Sequence, residues 1–302
     1  MKKNKLMILL IVLVALVAVY FGLSAYNKHA ENKKEEEEKE AEIHLVDADS
    51  LTKISYTNGS TSMTFVSEDG TWYYDEDHEI PMDQSTIESL ESTITGLEAV
   101  REIDDPDDLE DYGLTSPLYE ISYTDSDDKE HTLHVGDTTG ENYYASIDDS
   151  EKVYTIDSTL TGSLQFDLSG VVDNDDVPSI GSGNLKKVEI TVNGETTKYK
   201  DEDDLSELAG GFGALSLSEP VDYHVTDEAL SNYGLSEAER TTATATYKNG
   251  DDKESFTVYI GKETGDGSRY LMVDGSKLVY QVSTDIINNM ITVDNSDSSD
   301  SE

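Results

Sequence analysis

Asp111-Tyr112-Gly113-Leu114 is followed by Leu133-His134-Val135-Gly136, then Tyr143-Tyr144, then Val153-Tyr154. The same marks return as Asn232-Tyr233-Gly234-Leu235, Val258-Tyr259-Ile260-Gly261, Arg269-Tyr270 and Val279-Tyr280. Order, spacing and residue type all recur. Repetition of this kind is a fold signal before it is a functional one. Twelve positions are therefore read as structural repeat marks: Tyr112, Gly113, Leu114, Gly136, Tyr144 and Tyr154 in the first copy, and Tyr233, Gly234, Leu235, Gly261, Tyr270 and Tyr280 in the second.

Working upstream, Leu51 to Tyr56 with the turn Asn58-Gly59 resembles Leu185 to Ile190 with Asn193-Gly194. Asn-Gly between apolar runs is a strong hairpin signal. Between hairpin and mark, each copy has one helical face: Ile87, Leu90, Ile94 and Leu97, then Leu205, Leu208, Phe212 and Leu215. Both are spaced three, four, three. Ser85 and Glu88 read as a capping-box pair at the start of the first helix. Gly70-Thr71-Trp72-Tyr73-Tyr74 adds an aromatic strand that the second copy lacks. The predicted fold is α+β: two tandem units, each a mostly antiparallel sheet with a packed helix, after one N-terminal transmembrane helix.

The predicted boundaries are an anchor (1–27), a charged stalk (28–43), unit 1 (44–172), a linker (173–183), unit 2 (184–293) and a disordered acidic tail (294–302). Leu6 to Leu23 carries no charge, long enough to cross a hydrocarbon core. Lys2, Lys3 and Lys5 favour the inside, which puts the bulk of the chain outside the cell membrane as a single-pass protein. A cleaved signal peptide is the alternative; Leu23-Ser24-Ala25 is a weak cleavage site for it. The stalk, nearly all Glu and Lys, cannot enter a core and holds the rest away from the membrane.

The formal charge is −44. The first 42 residues hold seven basic and seven acidic side chains, so the remainder carries 14 basic against 58 acidic. Such a surface repels phosphate backbones and excludes nucleic acid as a partner. With no cysteine, disulfides, thiol catalysis and cysteine-held metals are also excluded.

No catalytic or cofactor motif is present. There is no His-Glu-x-x-His spacing and no Gly-x-Ser-x-Gly elbow. Ser50-Leu51-Thr52-Lys53 opens a strand instead of a helix. Gly261-Lys262 ends like a phosphate loop, but Phe256 stands where its first glycine belongs. His131 and His134 sit three apart in a strand and face opposite sides. The acidic cluster Asp104, Asp105, Asp107 and Asp108 offers oxygen ligands for weak calcium binding, against the plainer reading of a solvated loop. Eighteen tyrosines suit half-buried strands, and an exposed row of them would bind glycan or protein.

The N-terminal anchor, the Gly-Thr-Trp strand at Gly70-Thr71-Trp72, a helix, Leu109…Tyr112-Gly113-Leu114…Pro117, Leu133-His134-Val135-Gly136, Tyr143-Tyr144 and Val153-Tyr154 together resemble the bacterial family known as domain of unknown function 4340. The second unit is similar but has Glu237-Ala238 where Pro117 would lie. Some family members are encoded beside ABC-type export and gliding-associated proteins. The resemblance implies at most an envelope accessory role and supplies no catalytic residues. The expected function is a non-catalytic, membrane-anchored, extracytoplasmic binding or scaffolding protein with an envelope or transporter protein as partner. The alternative is a cell-wall or glycan hydrolase using acidic residues.

Overall fold

The computed structural model describes residues 43–59 and 61–293. The expected anchor, all of the stalk but Ile43, and the acidic tail lie outside the described residues. Among the described residues, no helix is long and apolar enough to cross a membrane.

The protein is α+β, with antiparallel sheets and few helices. Its first half contains β1 (Ile43–His44), β2 (Leu51–Asn58), β3 (Thr61–Glu68), β4 (Thr71–Tyr74), α1 (Gln84–Thr95), β5 (Glu98–Ala99), β6 (Arg101–Glu102), β7 (Tyr119–Asp125), β8 (Glu130–Thr139), β9 (Asn142–Ile147), β10 (Tyr154–Ile156) and α2 (Thr159–Ser163). Eight of these strands form one sheet in the order β4-β3-β2-β7-β8-β9-β10-β6, while β1 pairs with β5.

The second half contains β11 (Leu185–Val192), β12 (Glu195–Tyr199), α3 (Glu202–Ala214), β13 (Thr241–Asn249), β14 (Asp252–Glu263), β15 (Ser268–Val273), β16 (Tyr280–Ser283) and α4 (Thr284–Ile291). Its sheet runs β12-β11-β13-β14-β15-β16. That order matches β3-β2-β7-β8-β9-β10 strand for strand. Irregularities recur as well: the register shifts between Leu51 and Lys53 and between Leu185 and Lys187, and again between Val135 and Thr138 and between Ile260 and Glu263. An extra residue in a strand turns its neighbours, so such shifts belong to the architecture.

Alternation, with the register shifts after Leu51 and Leu185, explains which strand face is buried. Leu51, Ile54 and Tyr56 of β2 point to the core, as do Leu185, Val188 and Ile190 of β11. Against them lie Ile87, Leu90 and Ile94 of α1 and Leu205, Leu208 and Phe212 of α3. Each sheet carries two helices where the sequence predicted one. The second of each pair, α2 or α4, is short, and fully buries Leu160 from α2 and Ile287 and Met290 from α4. The expected cap of α1 is also corrected. Ser85 lies inside the first turn, and Asp83 is the N-cap, accepting from the Ser85 and Thr86 amides at 3.0 and 3.4 Å. A carboxylate one residue before the helix satisfies amides that would otherwise have no partner.

The connector 173–183 is tied at both ends. Asp173 N–H donates to the Pro81 carbonyl, Asp175 N–H donates to the Tyr280 hydroxyl at 2.9 Å, and Ile180 is buried. One continuous apolar cluster includes residues of both sheets.

Candidate functional site

The Tyr-Gly-Leu marks, with Tyr144 and Tyr270, meet on the sheet face opposite the helices, while Tyr154 and Tyr280 belong to the main core. Leu109–Tyr112 and Leu230–Tyr233 are 3-10 turns, each ended by a glycine in the left-handed region: Gly113 at φ 70° and Gly234 at φ 66°. The chain then crosses the sheet. Gly136 lies so close beneath that a Cβ there would sit 2.2 Å from the Tyr112 carbonyl oxygen, and Gly261 repeats the 2.2 Å approach to the Tyr233 oxygen. The tyrosine rings pack edge-on, Tyr112 on Tyr144 at 4.8 Å and Tyr233 on Tyr270 at 5.0 Å. Leu235 joins Val225, Met272 and Val279 in a small second core; Leu114 and Val153 are buried at the matching place in the first sheet. Tyr154 and Tyr280 are buried at the start of β10 and β16. The turns therefore anchor to a separate back-face layer and not to the main core.

The hydroxyls of the crossing tyrosines hold the loops before them. Asp107 N–H donates to Tyr112 Oη at 3.1 Å, and Tyr233 Oη donates to Asp222 at 2.8 Å. Burial, with Asp222 beside it, pushes the Tyr233 hydroxyl up to about 12. Asp104, Asp105, Asp107 and Asp108 are exposed around a shallow acidic depression. Among the described residues, no three His, Asp or Glu side chains converge as metal ligands.

His131 is the most enclosed of the histidines among the described residues. Its Nδ1 lies 3.0 Å from Asp148 and its Nε2 3.6 Å from Asp125, and the Tyr123 ring stacks on it at 5.0 Å. The Lys129 amide, opposed by desolvation and helped by the Asp127 amide and His131, holds the Asp125 carboxyl below its usual range. A general base needs one ring nitrogen turned to a nucleophile. Here both nitrogens face carboxylates, an arrangement that holds the Asp125–Lys129 turn to the sheet. His134, on the other face, lies 3.8 Å from Glu120.

A different feature has the form of a binding site. At the open end of the first sheet lies a groove of about 600 Å³. Three half-buried rings line it: Tyr119 from the start of β7, Tyr143 from β9, and Phe166 from the loop after α2. The loop is held over the sheet end by three contacts. Asn58 Nδ2 donates to the Leu164 carbonyl, Tyr56 Oη donates to the Phe166 carbonyl at 3.3 Å, and the Tyr56 and Phe166 rings meet edge-on at 5.9 Å. Gln165 Nε2 donates to Tyr119 Oη at 3.0 Å and to the Thr161 carbonyl at 2.7 Å. Tyr119 and Tyr143 are edge-to-face at 6.5 Å. Asp167 accepts from Ser169 Oγ and the Ser169 amide, and these bonds, against desolvation, hold its carboxyl below the ordinary range. Leu118, 49% exposed, forms the rim. Rings on one side and fixed acceptors on the other make this the candidate site.

The family described as Domain of unknown function (DUF4340) matches the sequence twice, over residues 72–220 and 195–292. The chain belongs to the DUF4340 family. No curated protein and no solved structure matches it.

None of the groove residues of this DUF4340 chain was singled out for a site by its sequence pattern. One signal was available. Where the first copy has Tyr143, the second has Arg269, so the two copies diverge at the groove while the neighbouring Tyr144 and Tyr270 agree. The excess of tyrosine was visible too, but only the fold says which rings reach an open surface.

Proposed function

We propose that this protein is a membrane-anchored, extracytoplasmic binding or scaffolding accessory of an envelope system, of the kind that works beside an ABC-type exporter. Residues 1–27 supply the anchor, 28–43 the stalk, and two tandem DUF4340 units, 44–172 and 184–293, the ectodomain. The observation that carries the reading is the groove at the end of the first sheet: an open, ring-lined surface on a rigid antiparallel frame. The apolar run from Leu6 to Leu23 and the lysines before it support the topology. The acidic exterior keeps such an ectodomain soluble and steers basic partners towards it.

The test is reciprocal capture. The full chain, extracted in detergent after cross-linking in the membrane, should retrieve a defined envelope protein, and that protein, tagged in turn, should retrieve this chain. Retrieval of no partner, together with hydrolysis of cell-wall material by the purified chain, would reverse the reading in favour of a glycan hydrolase.

A further inference from the structure

We propose that the groove between Tyr119, Tyr143 and Asp167 binds a guanidinium group carried on an extended basic segment of a partner protein. The inference rests on the binding reading above and specifies its ligand.

The groove presents acceptors. Both amide hydrogens of Gln165 are spent, on Tyr119 Oη and the Thr161 carbonyl, so Gln165 offers its Oε1. One Asn58 Nδ2 hydrogen goes to the Leu164 carbonyl, and its Oδ1 remains an acceptor. Asp167 adds a carboxylate that stays ionised well below neutral pH. Three such acceptors, one of them charged, favour a ligand rich in donors, and arginine carries five N–H donors and no acceptor. Its planar cation also lies well against tyrosine faces, which an ammonium group does less effectively.

The groove brings no cation of its own: none of the residues lining it is a lysine, arginine or histidine. The second sheet shows what the same corner does with one. Arg269 stands in register where Tyr143 stands: Arg269 pairs with Glu263 and Tyr143 with Thr138, each partner three residues beyond the matching Ile260 or Val135. Its Nε and Nη2 both donate to the Gly261 carbonyl, at 3.1 and 2.7 Å. The second unit thus places an internal guanidinium group at this end of its sheet, where the first has a tyrosine. The long-range field agrees, since 58 acidic against 14 basic side chains beyond residue 42 attract a basic segment and repel an anionic one. A neutral sugar would meet the same rings and acceptors but gain nothing from that field.

The experiment uses the full chain in detergent micelles at low salt, with fluorescence anisotropy of a labelled, end-capped Gly-Arg-Gly-Arg-Gly peptide. The same peptide with citrulline for arginine removes the charge at constant shape, and chitotetraose probes the sugar class. Asp167→Asn keeps the capping oxygen at Ser169 and removes the charge. Tyr143→Arg fills the groove as the second unit does. Asp201→Asn, at the N-cap of α3, removes an equal charge elsewhere. Circular dichroism checks that each variant is folded. The arginine peptide should bind about tenfold tighter than the citrulline peptide. Asp167→Asn and Tyr143→Arg should each weaken binding about fivefold or more, and Asp201→Asn less than about twofold. Equal binding of the two peptides, or equal loss in Asp201→Asn and Asp167→Asn, overturns the proposal and leaves only a diffuse field. Binding of chitotetraose without the arginine peptide also overturns it, in favour of a sugar. If no probe binds while reciprocal capture still recovers a partner, the guanidinium proposal fails and the binding reading stands; failure of both experiments removes both.

Discussion

Gly136 has no unusual backbone angle, yet only glycine fits it. Its partner is the Tyr112 carbonyl, which belongs to the crossing chain and cannot move without lifting the crossing from the sheet. Gly140, four residues on, is the opposite case: φ is 68° and nothing lies within 4 Å of the Cβ position. The two separate steric contact from conformational strain. Gly140→Ala should cost about 1 kcal/mol, the left-handed penalty alone. Gly136→Ala should cost about 3 kcal/mol, through a 2.2 Å backbone contact that must be relieved by local displacement. Gly261→Ala should behave like Gly136→Ala. Thermal unfolding of the four proteins decides it; equal melting temperatures for Gly136→Ala and Gly140→Ala would show that the crossing is not clamped.

Helices and strands carry the next level. α3 is a poor helix by propensity, with Gly210, Gly211 and Gly213 in its last turns, and glycine costs about 1 kcal/mol each in a helix interior. Gly211 has a packing reason. A Cβ there would meet the α4 backbone at 2.3 Å, at Met290 N, so the glycine lets α3 and α4 approach closely. Gly210 faces open space. Gly210→Ala should therefore stabilise the chain by up to about 1 kcal/mol, and Gly211→Ala should destabilise it by about 1–3 kcal/mol despite its better helix propensity. Chemical denaturation measures both. The same sign for both substitutions would mean that α4 does not pack against α3 as described.

Between the two halves of the molecule, His224 reaches across to Asp77 at 3.0 Å and Glu79 at 2.8 Å. Desolvation would raise the Asp77 carboxyl, but the Glu79 amide and His224 outweigh it and hold it below its ordinary value of 3.8. The sign follows: a lowered carboxyl contributes stability above its unfolded value and loses it as pH falls through the folded one. Asp77→Asn should cost about 0.5 kcal/mol at pH 6, as a partly exposed pair does. The difference from the parent chain should shrink as pH is lowered through 3.8 and below. A constant difference from pH 6 to pH 3, by denaturant unfolding, would exclude a role for this bridge.

Much of the architecture was legible because it is periodic and local. The matching runs Leu51–Tyr56 and Leu185–Ile190, the Asn-Gly hairpins, the three-four-three spacing of α1 and α3, and the recurring Tyr-Gly-Leu marks each depend on residues close in sequence. Their recurrence specifies two similar sheets. Tertiary structure decided what depends on residues far apart. The back-face layer of Leu235 with Met272 and Val279, the contact between Gly136 and Tyr112, the fit of Gly211 against Met290, and the bridge from His224 to Asp77 join positions between 24 and 147 residues apart. The groove is the clearest case. Asn58, Tyr119, Tyr143 and Asp167 come from three strands and a loop, and no spacing rule connects them. They converge because strand pairing brings their chain ends to one end of a sheet, and sequence periodicity carries no record of which ends those are.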